Sequence, residues 1–133
     1  MRGLEKLTQI TGLAFRDGQM TELPKGLEKL THLTHLWLDR NQLADVKGLE
    51  KLTKLTDLNL QENRLTSVKG LEKLTKLKEL YLHNNKLTDV SGLEKLTQLT
   101  QLILHNNPDL TKARIAELQK ALPKCKIGHN AKK

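Results

Sequence analysis

A six-residue segment recurs without change at an almost constant interval, and this feature constrains the fold more than any other. The segment Gly-Leu-Glu-Lys-Leu-Thr occurs five times, and successive copies begin 23, 22, 22 and 22 residues apart. The copies begin at Gly3, Gly26, Gly48, Gly70 and Gly92. A fixed period of about 20 to 50 residues is typical of repeat proteins, in which each unit packs only against its neighbours. The interval therefore predicts stacked units that share one continuous core.

A second pattern lies between these copies and predicts one short strand in each unit. The pattern is Leu-x-x-Leu-x-Leu-x-x-Asn-x-Leu, and its copies begin at Leu33, Leu55, Leu77 and Leu99. Leu-x-Leu spacing places two side chains on one face of a strand and the intervening residue on the other face. The pattern's asparagines are Asn41, Asn63, Asn85 and Asn107. Their amides can satisfy backbone groups where the chain leaves the sheet, so we expect a structural ladder of asparagines.

These repeats resemble the leucine-rich repeat family over nearly the whole chain. The unit continues through Val46, Leu49 and Leu52, and this 22-residue form is similar to the short subclass found in bacterial internalins and in a regulatory subunit of protein phosphatase 1. The resemblance implies an α/β fold, a right-handed solenoid with about six short parallel strands on its concave face. It implies tight turns or 3₁₀ segments on the convex face, and partners that bind the concave face.

The departures from the pattern predict how a single domain, residues 1–133, is organised. Residues 1–25 form an irregular first repeat, in which Gly18 takes the position of the asparagine. Residues 26–110 form the regular repeats, and residues 111–133 form a C-terminal cap. Because no polar cap precedes the first repeat, its edge is expected to be exposed and available for self-association.

The C-terminal cap is predicted to contain one helix and a sixth strand. Thr111 is a suitable N-cap, apolar residues follow at helical spacing, and Pro123 ends the helix. The next residues match the strand pattern, with Cys125 and Ile127 in the two leucine positions and Asn130 in that of the asparagine. Cys125 is therefore expected to be a buried apolar residue. The last residues, 129–133, are expected to fray.

The composition excludes several classes of protein. The single cysteine rules out an intramolecular disulfide framework and a multi-cysteine zinc site. No run approaches the roughly 18 to 20 apolar residues of a membrane-spanning helix, so we expect no membrane span. Charges are mixed into the first eight residues, which predicts no secretory signal. The sequence does not indicate a cellular compartment.

The net charge of +8 is concentrated at the C-terminus. Residues 109–133 contain seven basic and two acidic side chains, which leaves a net charge of only +3 on the preceding residues. Clustered bases attract phosphate, but no aromatic residue lies among them to stack on nucleic acid bases. We therefore interpret this segment as a solubilising cap and expect neither a nucleic acid nor an acidic membrane as partner.

The solvent-facing positions of the strands are the candidate binding site. In contrast to the unvarying hexapeptide, these positions differ from repeat to repeat, as expected of a binding surface on a fixed scaffold. Two of the three aromatic residues, Trp37 and Tyr81, occupy them, whereas Phe15 is assigned to the core. The candidate partner-binding residues are His35, Trp37, Asp39, Arg40, Asp57, Asn59, Gln61, Glu79, Tyr81, His83, Gln101, Ile103 and His105.

Two groups within this surface suggest chemistry, but each is incomplete. His83 and His105 share a column and would suit zinc or nickel, yet no third ligand lies near them. His35, Asp57 and Glu79 form an acid-histidine column without a nucleophile. We therefore predict no catalytic site, no metal site and no cofactor.

The sequence thus predicts a non-enzymatic module that binds a protein partner through its concave face. The alternative is a structural or engineered repeat scaffold without a natural ligand, because recent duplication or design would also give unvarying hexapeptides. The irregular first repeat, with Gly18 in its asparagine position, favours natural ancestry for at least part of the chain. The sequence does not identify the partner.

Overall fold

A single parallel sheet runs through the whole solenoid. The computed structural model describes residues 3–133, so Met1 and Arg2 of the predicted first repeat lie outside the described residues. Each strand pairs with the next one in the sequence. The strands are β1 (Gly12–Ala14), β2 (His35–Trp37), β3 (Asp57–Asn59), β4 (Glu79–Tyr81), β5 (Gln101–Ile103) and β6 (Lys126–Gly128). The predicted leucine-rich repeat solenoid with six parallel strands is confirmed.

Each hexapeptide forms one 3₁₀ turn on the opposite side of the core. The turns are Leu4–Lys6, Leu27–Lys29, Leu49–Lys51, Leu71–Lys73 and Leu93–Lys95. The glycine before each turn has a positive φ, between 78° and 107°, which explains why this position is always glycine. The segments on this side are therefore short turns, as the sequence predicts.

The glutamate of the hexapeptide has a structural role that the repeat pattern alone does not predict. The Glu50 carboxylate accepts a hydrogen bond of 2.8 Å from the N–H of Gly48, and Glu72 does the same for Gly70. Hydrogen bonds from the N–H groups of Glu50 itself and of Gly48 lower the pKa of the Glu50 carboxyl. In the third, fourth and fifth copies this glutamate therefore has a role in local folding, so its constancy there is not that of a surface residue free to vary.

The asparagine ladder holds neighbouring repeats together, as the sequence predicts. The Nδ2 of Asn63 donates hydrogen bonds of 3.0 Å to the carbonyls of Leu38 and Leu60, and its Oδ1 accepts one of 3.0 Å from the N–H of Leu43. In the first repeat a Cβ on Gly18 would lie 2.8 Å from the Oδ1 of Asn41. Glycine at this position therefore leaves room for the first amide of the ladder.

The C-terminal cap contains the predicted helix, α1 (Lys112–Ala121). The Thr111 side chain accepts a hydrogen bond of 3.2 Å from the N–H of Arg114 and so caps the first turn. Gln119, in the last turn of the helix, donates hydrogen bonds of 3.0 and 2.9 Å to the carbonyls of Leu122 and Cys125, which follow the helix. Cys125 is buried, as predicted, and burial raises the pKa of its thiol.

The register of β6 differs from the sequence prediction by two residues. Ile127 pairs with Leu102, and so occupies the leucine position that the pattern assigns to Cys125. Because side chains alternate with a period of two, this shift leaves Cys125 facing the core. Asn130 does not join the buried ladder, but instead forms an exposed amide pair of 2.8 Å with Asn106. Thus the strand is confirmed, whereas the predicted register is wrong.

Residues 129–133, which the sequence predicts to fray, make contacts with the rest of the fold. The N–H of Lys112, at the start of α1, donates a hydrogen bond of 2.7 Å to the carbonyl of Lys133. The ammonium of Lys133 lies 3.9 Å from the Asp109 carboxylate, and Ala131 packs against the core. These contacts fasten the C-terminal residues to the base of the helix.

The first repeat forms the open edge of the sheet, since β1 pairs only with β2 among the described residues. Leu7 is 47% exposed, although its equivalents in the later repeats are fully buried. Phe15, assigned to the core from the sequence, is only partly buried against it. Self-association through this edge stays a prediction. None of the helices in residues 3–133 has the length and apolar character needed to cross a membrane.

The ladder predicts a large stability loss on truncation of one amide. In Asn63→Ala, two buried carbonyls and one buried N–H lose hydrogen bonds, and we expect the free energy of unfolding to fall by about 2 to 4 kcal/mol. Urea titration followed by circular dichroism would measure this change. Arg64→Ala, at the adjacent exposed position, is the matched control and should change stability by less than about 0.5 kcal/mol. Equal effects of the two substitutions would refute the structural role of the ladder.

Candidate functional site

The strand register arranges the candidate residues in two main columns across the sheet. Adjacent strands in a sheet lie about 4.8 Å apart, so each residue of a column is close to the next. The first column contains His35, Asp57, Glu79 and Gln101. The second column contains Trp37, Asn59, Tyr81 and Ile103. We call this solvent-facing side of the sheet the concave face.

Two aromatic side chains stand out from the second column. Trp37 is 36% exposed, while Tyr81 is half-buried, and Asn59 on β3 separates them. The Trp37 ring lies near that of His35, with ring centroids 5.8 Å apart, and Tyr81 meets His83 edge-on at 6.4 Å. Each aromatic ring is therefore close to a histidine of its own repeat, and the Trp37 ring also reaches toward β1, where a Cβ on Gly12 would lie 4.0 Å from its Cζ3.

Two carboxylates lie side by side in the first column. Asp57 pairs with Glu79 across β3 and β4, and its Oδ1 lies 3.5 Å from the Nε2 of His35. The Tyr81 hydroxyl donates a hydrogen bond of 3.4 Å to Glu79. Hydrogen bonding with Asp57, partial burial and the Asp57 charge raise the pKa of Glu79. Burial, followed by the charge of Glu79, raises the pKa of Tyr81.

Asp39 does not lie on the exposed surface, contrary to the prediction. Its side chain is fully buried, because Arg16 from the preceding repeat covers it and places its Nε 3.0 Å from both carboxylate oxygens. Arg16 itself is exposed and was missed as a candidate. The signal was present in the sequence, since Arg16 and Asp39 occupy the same position in successive repeats. Asp39 therefore supports Arg16 rather than a partner.

Arg40 bridges three repeats at the side of this face. Its guanidinium lies 3.2 Å from the Asp17 carboxylate and 2.8 Å from that of Glu62. The hydrogen bonds that Arg40 donates to Asp17 and Glu62, together with the charges of those carboxylates, raise the pKa of Arg40. Arg40 and Glu62 both have a positive φ, 60° and 54°, a conformation that costs such residues roughly 1 kcal/mol each. Asn84 and Asn106 fill the equivalent positions with a residue type better suited to this conformation.

His83 and His105, which occupy the same position in successive repeats, form the histidine column beside these charged side chains. Burial lowers the pKa of His83, and the charge of His105 lowers it further. The Nδ1 of His83 is buried without a hydrogen-bond partner in the described part of the chain. Across residues 3–133, no group of three or more His, Cys, Asp or Glu side chains is placed to hold a metal ion.

The like-charged pair predicts a pH-dependent effect of Glu79→Gln. At pH 7 we expect the variant to be more stable than the wild type by about 0.5 kcal/mol, because it removes a repulsion with Asp57 at a solvent-screened position. The folded-state pKa of Glu79 is raised, so protonation favours the folded wild type at lower pH. The difference should therefore shrink as the pH falls through that pKa.

Thermal unfolding of the two proteins between pH 7 and pH 4 would measure this difference. Glu22→Gln changes an exposed glutamate outside the concave face and is the matched control. A stability difference that does not vary with pH, or a variant less stable than the wild type at pH 7, would show that the two carboxylates do not repel each other.

Solved structures of bacterial repeat proteins are similar to this chain. Internalin C2 of Listeria monocytogenes is 26% identical, with a TM-score of 0.86 over 96% of this chain and 54% of that one. The functional domain of InlJ from Listeria monocytogenes, which includes a cysteine ladder, is 31% identical, with a TM-score of 0.79 over 100% of this chain and 28% of that one. A leucine-rich repeat protein of Leptospira interrogans is 26% identical, with a TM-score of 0.74 over 93% of this chain and 38% of that one.

The chain thus spans about half, or less, of the length of each of these proteins. No curated protein matches the chain in sequence. The family model for leucine-rich repeats (2 copies) matches residues 31–73, 53–95 and 75–120, which together are more than half of the chain. Together with the parallel strands, the 3₁₀ turns and the asparagine ladder, this match establishes that the chain belongs to the leucine-rich repeat family.

Proposed function

We propose that the chain is a non-enzymatic module that binds a protein partner through its concave face. Leucine-rich repeats commonly mediate protein interactions, and internalins are among the structures similar to this chain. The observation that carries the proposal is the display of Trp37 and Tyr81 on an ordered sheet face, surrounded by polar side chains. Aromatic side chains of this kind are the commonest anchors of protein interfaces.

The rigidity of the surface supports this role. The Asn59 side chain accepts a hydrogen bond of 3.0 Å from the N–H of Gln61, and Tyr81 contacts Glu79 and Gln101 through its hydroxyl. Side chains that are already held in place lose less conformational entropy when a partner binds. Binding to this face therefore requires little ordering of the module.

The proposed contact surface follows the two columns and their neighbours. Trp37, Asn59 and Tyr81 form its centre, and Asp39 acts only through Arg16. The surrounding contact residues are Arg16, His35, Arg40, Asp57, Gln61, Glu79, His83, Gln101, Ile103 and His105.

Two competing proposals have less support. A catalytic role for His35 and Asp57 has little support, because the only hydroxyl beside His35 in the described residues, that of Thr34 at 2.9 Å from its Nδ1, also donates to the carbonyl of Thr11 at 3.2 Å. Ser67 and Ser91 lie on the return turns, where each bonds locally. A purely structural scaffold would account for the constant hexapeptide, whose glycine and glutamate have folding roles. It gives no reason for an exposed tryptophan on the solvent-facing side of β2.

A pull-down with an aromatic-deficient variant tests the proposal. The whole chain, immobilised as wild type and as Trp37→Ala/Tyr81→Ala, is incubated with bacterial and animal cell lysates, and the captured proteins are identified by mass spectrometry. We expect the variant to lose the proteins that the wild type captures, with affinity reduced at least about 30-fold, because it removes two interface anchors.

Lys51→Ala/Lys73→Ala changes two exposed residues on the opposite side of the solenoid and is the matched control. It should capture the same proteins as the wild type. If the aromatic variant captures them equally well, or if the wild type captures none, the concave face is not the binding surface and the structural scaffold becomes the better account.

A further inference from the structure

The carboxylates of the concave face differ in whether a base neutralises them. Asp39 pairs with Arg16, while Asp17 and Glu62 both pair with Arg40. Among the described residues, neither Asp57 nor Glu79 forms an ion pair with a lysine or an arginine. Within residues 3–133, the basic side chain in ion-pair range of this column is that of His35, 3.5 Å from Asp57. Two adjacent carboxylates at the centre of the face thus lack the arginine that their neighbours have.

Aromatic residues border this carboxylate pair. In the register of the sheet, Trp37 lies beside His35 on β2, and Tyr81 lies beside Glu79 on β4. The two aromatic residues therefore occupy the positions on either side of Asn59, and the Tyr81 hydroxyl lies 3.4 Å from the Glu79 carboxylate. The faces of aromatic rings attract cations, and carboxylates are the strongest hydrogen-bond acceptors for a guanidinium. The two features together are complementary to a basic side chain with an apolar stem.

We propose that this patch receives an arginine side chain of the protein partner. The guanidinium bonds to Asp57 and Glu79, and its stem and planar face lie against Trp37 and Tyr81. Arginine fits better than lysine, because its rigid fork of donors can reach two carboxylates on neighbouring strands, whereas an ammonium is a single point charge. This inference rests on the proposed function, since it names the chemistry of the partner at that site.

The electrostatics of the patch favour such an occupant. The raised pKa of Glu79 reflects its proximity to Asp57 and its partial burial, and a bound cation would relieve the repulsion between the two carboxylates. Of the net charge of +8, +5 lies in residues 109–133, outside the two carboxylates and the aromatic residues of the patch, so the local charge of the patch is set by Asp57 and Glu79.

An NMR titration with a charged ligand and its neutral isostere tests this inference. The probes are N-acetyl-arginine N-methylamide and N-acetyl-citrulline N-methylamide, which have similar shapes but differ in charge. Added to the 15N-labelled whole chain, the arginine probe should saturably shift the Trp37 indole N–H signal and the amides of β3 and β4. The citrulline probe should bind at least about tenfold more weakly, because it cannot form charge-assisted hydrogen bonds.

Substitutions in the protein provide the second arm of this experiment. Asp57→Asn/Glu79→Gln keeps the size of both side chains, and we expect it to weaken binding of the arginine probe at least about tenfold. Glu22→Gln/Glu117→Gln removes the same amount of charge at exposed positions outside the patch and should leave the affinity unchanged. The amide spectra show directly whether each variant is folded.

The inference is overturned if the arginine probe causes no saturable shift, if both probes bind equally, or if the two double variants behave alike. The pull-down distinguishes a failure of this inference from a failure of the proposed function. Partners lost from Trp37→Ala/Tyr81→Ala but retained by Asp57→Asn/Glu79→Gln would leave the concave face as the binding surface and exclude the arginine. Partners retained by both variants would contradict the proposed function itself.

Discussion

The asparagine ladder is the interaction on which the rest of the structure depends. Leucine burial drives the stacking of repeats, but apolar packing alone does not fix how far one thin layer turns relative to the next. The amide of Asn63 does this, because it bonds to backbone groups of both its own repeat and the preceding one. The strands therefore remain in exact register, and the register determines which side chains become neighbours on the concave face.

Most of the fold follows from the sequence because the same pattern of leucine, glycine and asparagine positions recurs from repeat to repeat. The period of 22 residues and the Leu-x-Leu spacing predict the strands, their order and the inward face. The cap is less predictable: the strand pattern at Cys125 and Ile127 is satisfied equally well by two registers with the same faces. In the observed register Gln119 donates hydrogen bonds to two carbonyls after the helix, and Asn130 pairs with Asn106. A pattern of apolar residues does not contain these polar contacts.

The candidate site is predictable in outline but not in its electrostatics. The columns follow from strand spacing, so the neighbours of Trp37 and Tyr81 are those expected. Whether a charged side chain is exposed depends on its neighbour in the adjacent repeat. Arg16 covers the side chain of Asp39, whereas that of Asp57 is partly exposed. The proximity of Asp57 and Glu79 costs some stability, and such local costs are typical of surfaces that serve binding rather than folding.

In three of the five hexapeptides the glutamate bonds to the glycine of its own unit. The hydrogen bonds that leave a unit reach only the adjoining units, so whole units can be gained or lost by recombination without a new kind of contact. The proposed arginine patch, however, does not share this modularity, because it combines residues from three units. A unit inserted between β3 and β4 would preserve the core and yet move Asp57 away from Glu79. Evolution of such a chain can therefore change its length without disturbing the proposed patch only outside those three units.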